Sequence, residues 1–259
     1  MSMETATKIR TEVLNDGAVW RATLAAPKGN VLDSAMTSEL ADLFRRAERE
    51  RKLKVLLLGA EGKHFCFGAS VEEHRPERVG RMLGDFHELF RLIARSGVPV
   101  LVAVRGMCLG GGLELAAYCH RIFAHSDARF GQPVIALGVF APVASAILAD
   151  RVGRGAADDL LLSGRTVSAA EANAMRLVDQ LADDPEAASL AWAEEHLLPR
   201  SASSLRFATR AARMEFLRRF DALVADLETL YLDELMTTRD AAEGIEAFLE
   251  KRDPRWSDA

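Results

Sequence analysis

An α/β fold is predicted from three observations: a hairpin signature at the start of the chain, alternating strand-like and helical patterns through its first half, and helical patterns almost alone beyond Ala144. Residues 8–14 and 19–24 are strand-like runs. They are joined through Asn15, Asp16 and Gly17, where Asp-Gly accepts the positive φ of a tight hairpin turn. A helical pattern over 34–51 is followed by a strand at 55–58, a helix near 79–94, a strand at 100–104, a helix at 113–119 and a strand at 121–124. Such alternation argues for βαβ units. Later, Ser168 to Glu171 reads as a capping box, and 177–181 as a short strand or extended connector. Helices over 203–214 and 216–236 carry apolar residues on one face, so they must cover the core or pack against another subunit. The division expected is a core over residues 1–200 and a C-terminal helical region over 201–259, working as one unit.

Composition narrows the function. With 259 residues, 49% of them hydrophobic and 27% charged, the chain can bury one large core plus an appendage. A net charge of −5 argues against sequence-independent binding to nucleic acid, while leaving room for a local basic patch that holds one phosphorylated ligand. Cys66, Cys108 and Cys119 lie in apolar surroundings without CxxC spacing, which suggests neither a disulfide framework nor a zinc site. The first eight residues lack the apolar core of a signal peptide, and no run reaches the ~18 apolar residues of a membrane helix. A cytoplasmic protein with no membrane or nucleic-acid partner is expected.

The chemistry is concentrated in Gly110-Gly111-Gly112-Leu113-Glu114. Consecutive glycines let another molecule approach the main chain, and the helix that follows points unpaired amides at it, with Glu114 about one turn in. A glycine turn capping a buried helix is the alternative, with Glu114 merely complementing the helix dipole. A second glycine-bearing segment, Phe65-Cys66-Phe67-Gly68-Ala69-Ser70, follows the apolar run before it. Two such loops could supply one amide each to a developing oxyanion.

Together these segments resemble the crotonase, or enoyl-CoA hydratase, superfamily over nearly the whole chain. Residues 27–32 look like its early Pro…Asn motif, 65–69 and 106–115 its two oxyanion loops, Phe130-Gly131-Gln132-Pro133 the segment after the next strand, and 243–252 its C-terminal helix. The resemblance implies a crotonase-type ββα spiral core with a C-terminal helical trimerisation region, forming homotrimers or hexamers. It also implies an acyl-CoA thioester whose carbonyl is held by the amides of Ala69 and Gly111, within loops that include Gly68 and Gly110. Glu114 would be the acid/base, and Lys28, Lys251 and Phe248 would meet the CoA moiety. No cofactor is implied, because coenzyme A is part of the substrate.

The sequence also departs from that pattern. Hydratases of the family usually carry a second glutamate directly after Gly-Gln-Pro; here the position is Val134. Gly138-Val139-Phe140-Ala141-Pro142 replaces a glycine-rich stretch, making that wall apolar and stiff. With Gly68 to His74, this combination looks like the cyclohexa-1,5-diene-1-carbonyl-CoA hydratases, and Val134 and Phe140 would line the acyl site. Hydration of a conjugated enoyl- or dienoyl-CoA is the function implied. An isomerase using Glu114 alone, or a CoA-ester-binding homologue of weak activity, are the alternatives. A second proton could come from Glu114, solvent, Glu72, Glu73 or His74, although the last three read more simply as a solvated helix start. His64 and His87 lack metal-ligand spacing, and nothing near Cys66 or Cys108 suggests an activated thiol.

Overall fold

The computed structural model describes residues 7–26 and 28–259. Pro27, part of the early motif, and the first six residues, part of the segment read for a signal peptide, lie outside them. Strands β1 (Ile9–Leu14) and β2 (Val19–Leu24) form the expected antiparallel hairpin, pairing Leu14 with Val19. The connection is four residues long rather than a two-residue turn. Asn15, Asp16 and Gly17 all sit at positive φ (49°, 53° and 93°), which these residue types tolerate.

From β2 onward the chain repeats one step. Strands β3 (Val55–Ala60), β4 (Val100–Val104), β6 (Arg121–Ala124) and β9 (Gln180–Leu181) add parallel to β2, giving a six-stranded sheet ordered β1-β2-β3-β4-β6-β9. β3 and β4 are almost wholly buried, as their continuous Val/Leu runs require of interior parallel strands. After each of the strands β2, β3, β4 and β6, the chain makes a short second pairing before turning into a helix. Leu32 bridges to Ala69 and Cys66 to Cys108, while β5 (Met107–Leu109) pairs with β7 (Arg129–Gly131), itself paired with β8 (Thr166–Ser168). The helices that follow are α1 (Ser34–Arg49), α2 (Pro76–Ser96), α3 (Gly111–Tyr118) and α4 (Pro142–Val152). The simple βαβ reading is thus corrected to strand, short strand, helix. The second-layer pieces, three residues or fewer, are too short to show a periodicity.

Each short pairing delivers the next helix N-terminus to the same side of the molecule. Helix α3 begins at Gly111, two residues before the expected start, because Gly110 (φ 51°, ψ −126°) takes the turn only glycine accepts easily. Downstream come α5 (Arg154–Ser163), α6 (Ala169–Ala174) and α7 (Pro185–His196). The Ser168 hydroxyl accepts from the Glu171 amide at 3.2 Å as a capping box requires, but the Glu171 carboxylate turns to Arg165 instead of completing the box.

The two C-terminal helices expected over 203–236 are one, α8 (Ala202–Thr229), uninterrupted by glycine or proline. Its apolar stripe changes face along its length: Phe220 and Val224 enter the main core, whereas Phe207 and Met214 are exposed. Arginines tie it to the layers beneath. Arg206 donates to the carbonyls of Ala47, Glu50 and Ser96 (2.8, 2.5 and 2.5 Å), and Arg213 to those of Tyr118 and Cys119 (2.5 and 2.9 Å). The carbonyls left open at the C-terminal ends of α1, α2 and α3 are satisfied in this way. After α8 come a π turn (Leu230–Glu234), a short 3-10 turn (Leu235–Thr237) and α9 (Arg239–Glu250). Tyr231, Ala241 and Ile245 pack with Val79, Met82 and Leu83 of α2 into a second core.

Candidate active site

The first glycine loop is anchored from two sides. Asn30, buried at positive φ (52°), accepts from the Ala26 amide at 2.9 Å and donates to the carbonyls of Glu61 and His64 at 3.1 and 3.0 Å. This is why a small amide-bearing residue follows the turn. The Leu32 amide then donates to the Gly68 carbonyl and the Ser70 amide to the Leu32 carbonyl (2.9 and 3.2 Å), stepping over Ala69. The Ala69 amide therefore has no hydrogen-bond partner among the described residues.

Directly beside it stands the second loop. A Cβ on Gly111 would lie 3.1 Å from the Ala69 nitrogen, so only glycine lets the two main chains come this close. The Gly111 amide is the first of α3 and has no intrahelical acceptor. Gly110 is held from both directions: its amide donates to the Gly131 carbonyl at 3.0 Å, and its own carbonyl accepts from Gln132 Nε2 at 3.3 Å. Two adjacent, rigidly held, unpaired amides result.

Glu114, one turn into α3, is 5% exposed. Its Oε1 accepts from the Ala144 amide at 2.8 Å, so the carboxyl serves as the N-terminal cap that Ala141 does not provide for α4. Burial pushes its pKa up to about 7, against the opposing pull of the Ala144 and Val143 amides. A carboxyl titrating near neutrality can both take and return a proton there.

Glu114 and both glycine loops line one cavity of about 310 Å³. Gly68, Ala69, Gly110, Gly111, Glu114, Val134, Phe140 and Phe248, all expected from sequence, meet in it. Val134 lies against Gly110, its Cγ1 3.5 Å from where a Cβ would stand there. Lys28 and Lys251 do not line this cavity. Lys28 lies in a neighbouring groove with Arg10, Lys63 and His64, behind the Phe67 ring, and Lys251 is the exposed C-cap of α9. Of the three residues after the first loop, Glu72 pairs with Arg75, Glu73 accepts from the Ser34 amide and hydroxyl, and His74 alone faces the cavity. Its Nδ1 is bonded to the Ser70 carbonyl at 2.8 Å, and burial lowers its pKa.

Sequence reasoning did not single out Tyr231, Met82, Phe86 or Arg252, which also line the cavity. Tyr231 lies within a helical stretch where an aromatic reads as core, and only the tertiary fold brings it opposite α3. The other candidates have structural places. His64 Nδ1 accepts from the Met107 amide at 3.1 Å, and His87 is fully buried against Glu228 at 2.7 Å. Burial pushes the Cys66 thiol up to about 12 and raises Cys108 as well, so neither is poised as a thiolate. Among the described residues no three His, Cys, Asp or Glu side chains gather as a metal would require, and no helix is long and apolar enough to cross a membrane.

Comparison with known proteins agrees with this geometry. The family model described as Enoyl-CoA hydratase/isomerase matches residues 15–259. The chain is 49% identical over 253 residues to a cyclohexa-1,5-dienecarbonyl-CoA hydratase of Thauera aromatica, covering 98% of both proteins. It is 34% identical to a probable enoyl-CoA hydratase of Mycobacterium leprae (strain TN), covering 91% of this chain and 93% of that one. Among solved structures, an enoyl-CoA hydratase from Mycobacterium avium superposes with a TM-score of 0.85 at 27% identity, covering 98% of this chain and all of the other.

Proposed function

We propose, since the chain belongs to the enoyl-CoA hydratase/isomerase family, that it is a hydratase acting on a conjugated enoyl- or dienoyl-CoA thioester, with a cyclic dienoyl-CoA as the preferred class. The observation that carries this reading is the meeting, in one apolar cavity, of two unpaired amides and a carboxyl poised near neutrality. Ala69 and Gly111 donate to the thioester carbonyl oxygen, where charge accumulates as the enolate forms. Each such donor is worth roughly 3 to 4 kcal/mol in a site closed to water. The positive end of α3 adds to them.

Glu114 takes a proton from water as the water oxygen bonds to the conjugated carbon. The electron pair moves through the diene to the carbonyl oxygen, and the proton then returns from Glu114 to carbon, so one water is added overall. Phe140 and Val134 form an apolar wall suited to a ring. Lys28 with Arg10 and Lys63, and Lys251 with Arg252, would meet the CoA phosphates at the mouth. Exposed Phe207 and Met214 on α8 support assembly into trimers or hexamers. No further cofactor is required, and the site of action proposed is the cytoplasm.

Isomerisation is the second reading, favoured by the single carboxylate. Incubation with a cyclic dienoyl-CoA and with a 3-enoyl-CoA in ¹⁸O-labelled water separates the two. Label in the product is expected, whereas a shifted double bond without label would overturn hydration.

A further inference from the structure

We propose that Tyr231 is the positioning residue that holds the attacking water against Glu114, doing by hydrogen bonding what a second carboxylate would otherwise do. The inference rests on the hydratase reading and adds a residue to it. A water molecule in an apolar cavity needs two to four polar partners to stay in one place. Glu114 supplies one, and Val134 supplies none.

Among the described side chains lining the cavity, the other polar candidates are committed elsewhere. Arg252 is paired with Glu243 and Glu250, both at 2.6 Å. His74 uses Nδ1 on the Ser70 carbonyl, which leaves the neutral ring only an acceptor at Nε2. Tyr231 is 1% exposed, lines the same cavity, and its hydroxyl has no hydrogen-bond partner. Leaving a buried hydroxyl unpaired is costly, and a bound water removes that cost.

The ring is held firmly for such a task. It meets Phe140 edge-on with centroids 5.2 Å apart and packs beside Val79, Met82 and Leu83. Its backbone belongs to the π turn, a winding that recurs at functional sites. Burial and the nearby Glu114 charge both raise the phenol pKa, so the group stays a neutral donor throughout the working range. A neutral donor also leaves Glu114 without the repulsion that a second carboxylate would bring.

Tyr231→Phe tests this, because it keeps the ring and its packing. Three quantities are read on the intact protein: hydration kcat and KM for the dienoyl-CoA, Glu114-dependent exchange of solvent deuterium into the acyl carbons, and Tm. Hydration kcat is expected to fall about tenfold or more, with KM and deuterium exchange within about twofold of the parent. Equal loss of hydration and exchange would mark Tyr231 as merely structural and overturn the inference, as would undiminished hydration. Should Phe lower Tm so far that the fold is lost, 2,3-difluorotyrosine at position 231 keeps shape and donor. It must then hydrate at the parent rate, or the inference is overturned. A parent protein that hydrates no thioester would instead overturn the hydratase reading itself.

Discussion

The two walls of the cavity are built by different rules. One wall is main chain: Gly68, Ala69, Gly110 and Gly111 present amides, fixed by bridges between short strands and by Asn30 and Gln132 behind them. The facing wall is side chain, brought from segments far apart: Val134 after β7, Phe140 before α4, Tyr231 after α8 and Phe248 on α9. The first wall can stabilise charge on any thioester, since every thioester has the same carbonyl. Selectivity and water handling belong to the second. Glu114 lies between them and is tied to α4.

That contrast can be broken at several points. The largest effect is expected at the hinge between the walls, where Glu114→Gln should lower kcat at least about 100-fold in a steady-state assay. The same substitution should stabilise the fold. Burial lifts this carboxyl from 4.5 to about 7, so the folded protein keeps a proton that the unfolded chain releases. Stability therefore falls as pH rises from about 4.5 to 7, by about 3 kcal/mol once both states are ionised. Thermal unfolding at pH 8 should show the Gln variant melting higher, with the gap closing below about pH 4.5.

On the main-chain wall, Gly111→Ala places a Cβ 3.1 Å from the Ala69 nitrogen. A loss of roughly 10- to 100-fold in kcat is expected, equal for cyclic and linear thioesters because the carbonyl grip is common to both. On the facing wall, Val134→Glu adds a like charge within the cavity, which disfavours ionising the pair. The acid limb of the kcat profile, set near pH 7 by Glu114, should move up by about one unit. The smallest effect is expected at the mouth: Lys28→Ala should raise KM about two- to threefold, and added salt should erase the difference.

Legibility in the sequence follows the same division. The glycine loops could be read directly, because a main chain that must approach another molecule or take positive φ leaves glycine as its mark. Glu114 could be read from its place one turn beyond them. The hairpin was visible in Asn15-Asp16-Gly17, although not its four-residue length. The second strand of each ββα step was hidden, since three-residue pieces such as Met107–Leu109 show no alternation. Tyr231 was hidden for another reason. Its meaning depends on what it faces, and nothing local distinguishes it from the aromatics that fill the core beside it. His74 stood among three candidates with equal local claims until the fold turned Glu72 and Glu73 toward Arg75 and Ser34.

The π turn at Leu230–Glu234 carries one residue more than an α-helical path would need. Removing any one of these five residues lets the helix wind regularly and rotates all that follows by about 100° about its axis, with a shift of about 1.5 Å along it. Both Phe248 and Arg252 lie downstream, so a single-codon deletion would redirect several cavity-lining groups at once while leaving every glycine loop untouched. Lineages sharing this scaffold thus have a route to new acyl specificity through chain length, one that a comparison of substitutions alone would miss.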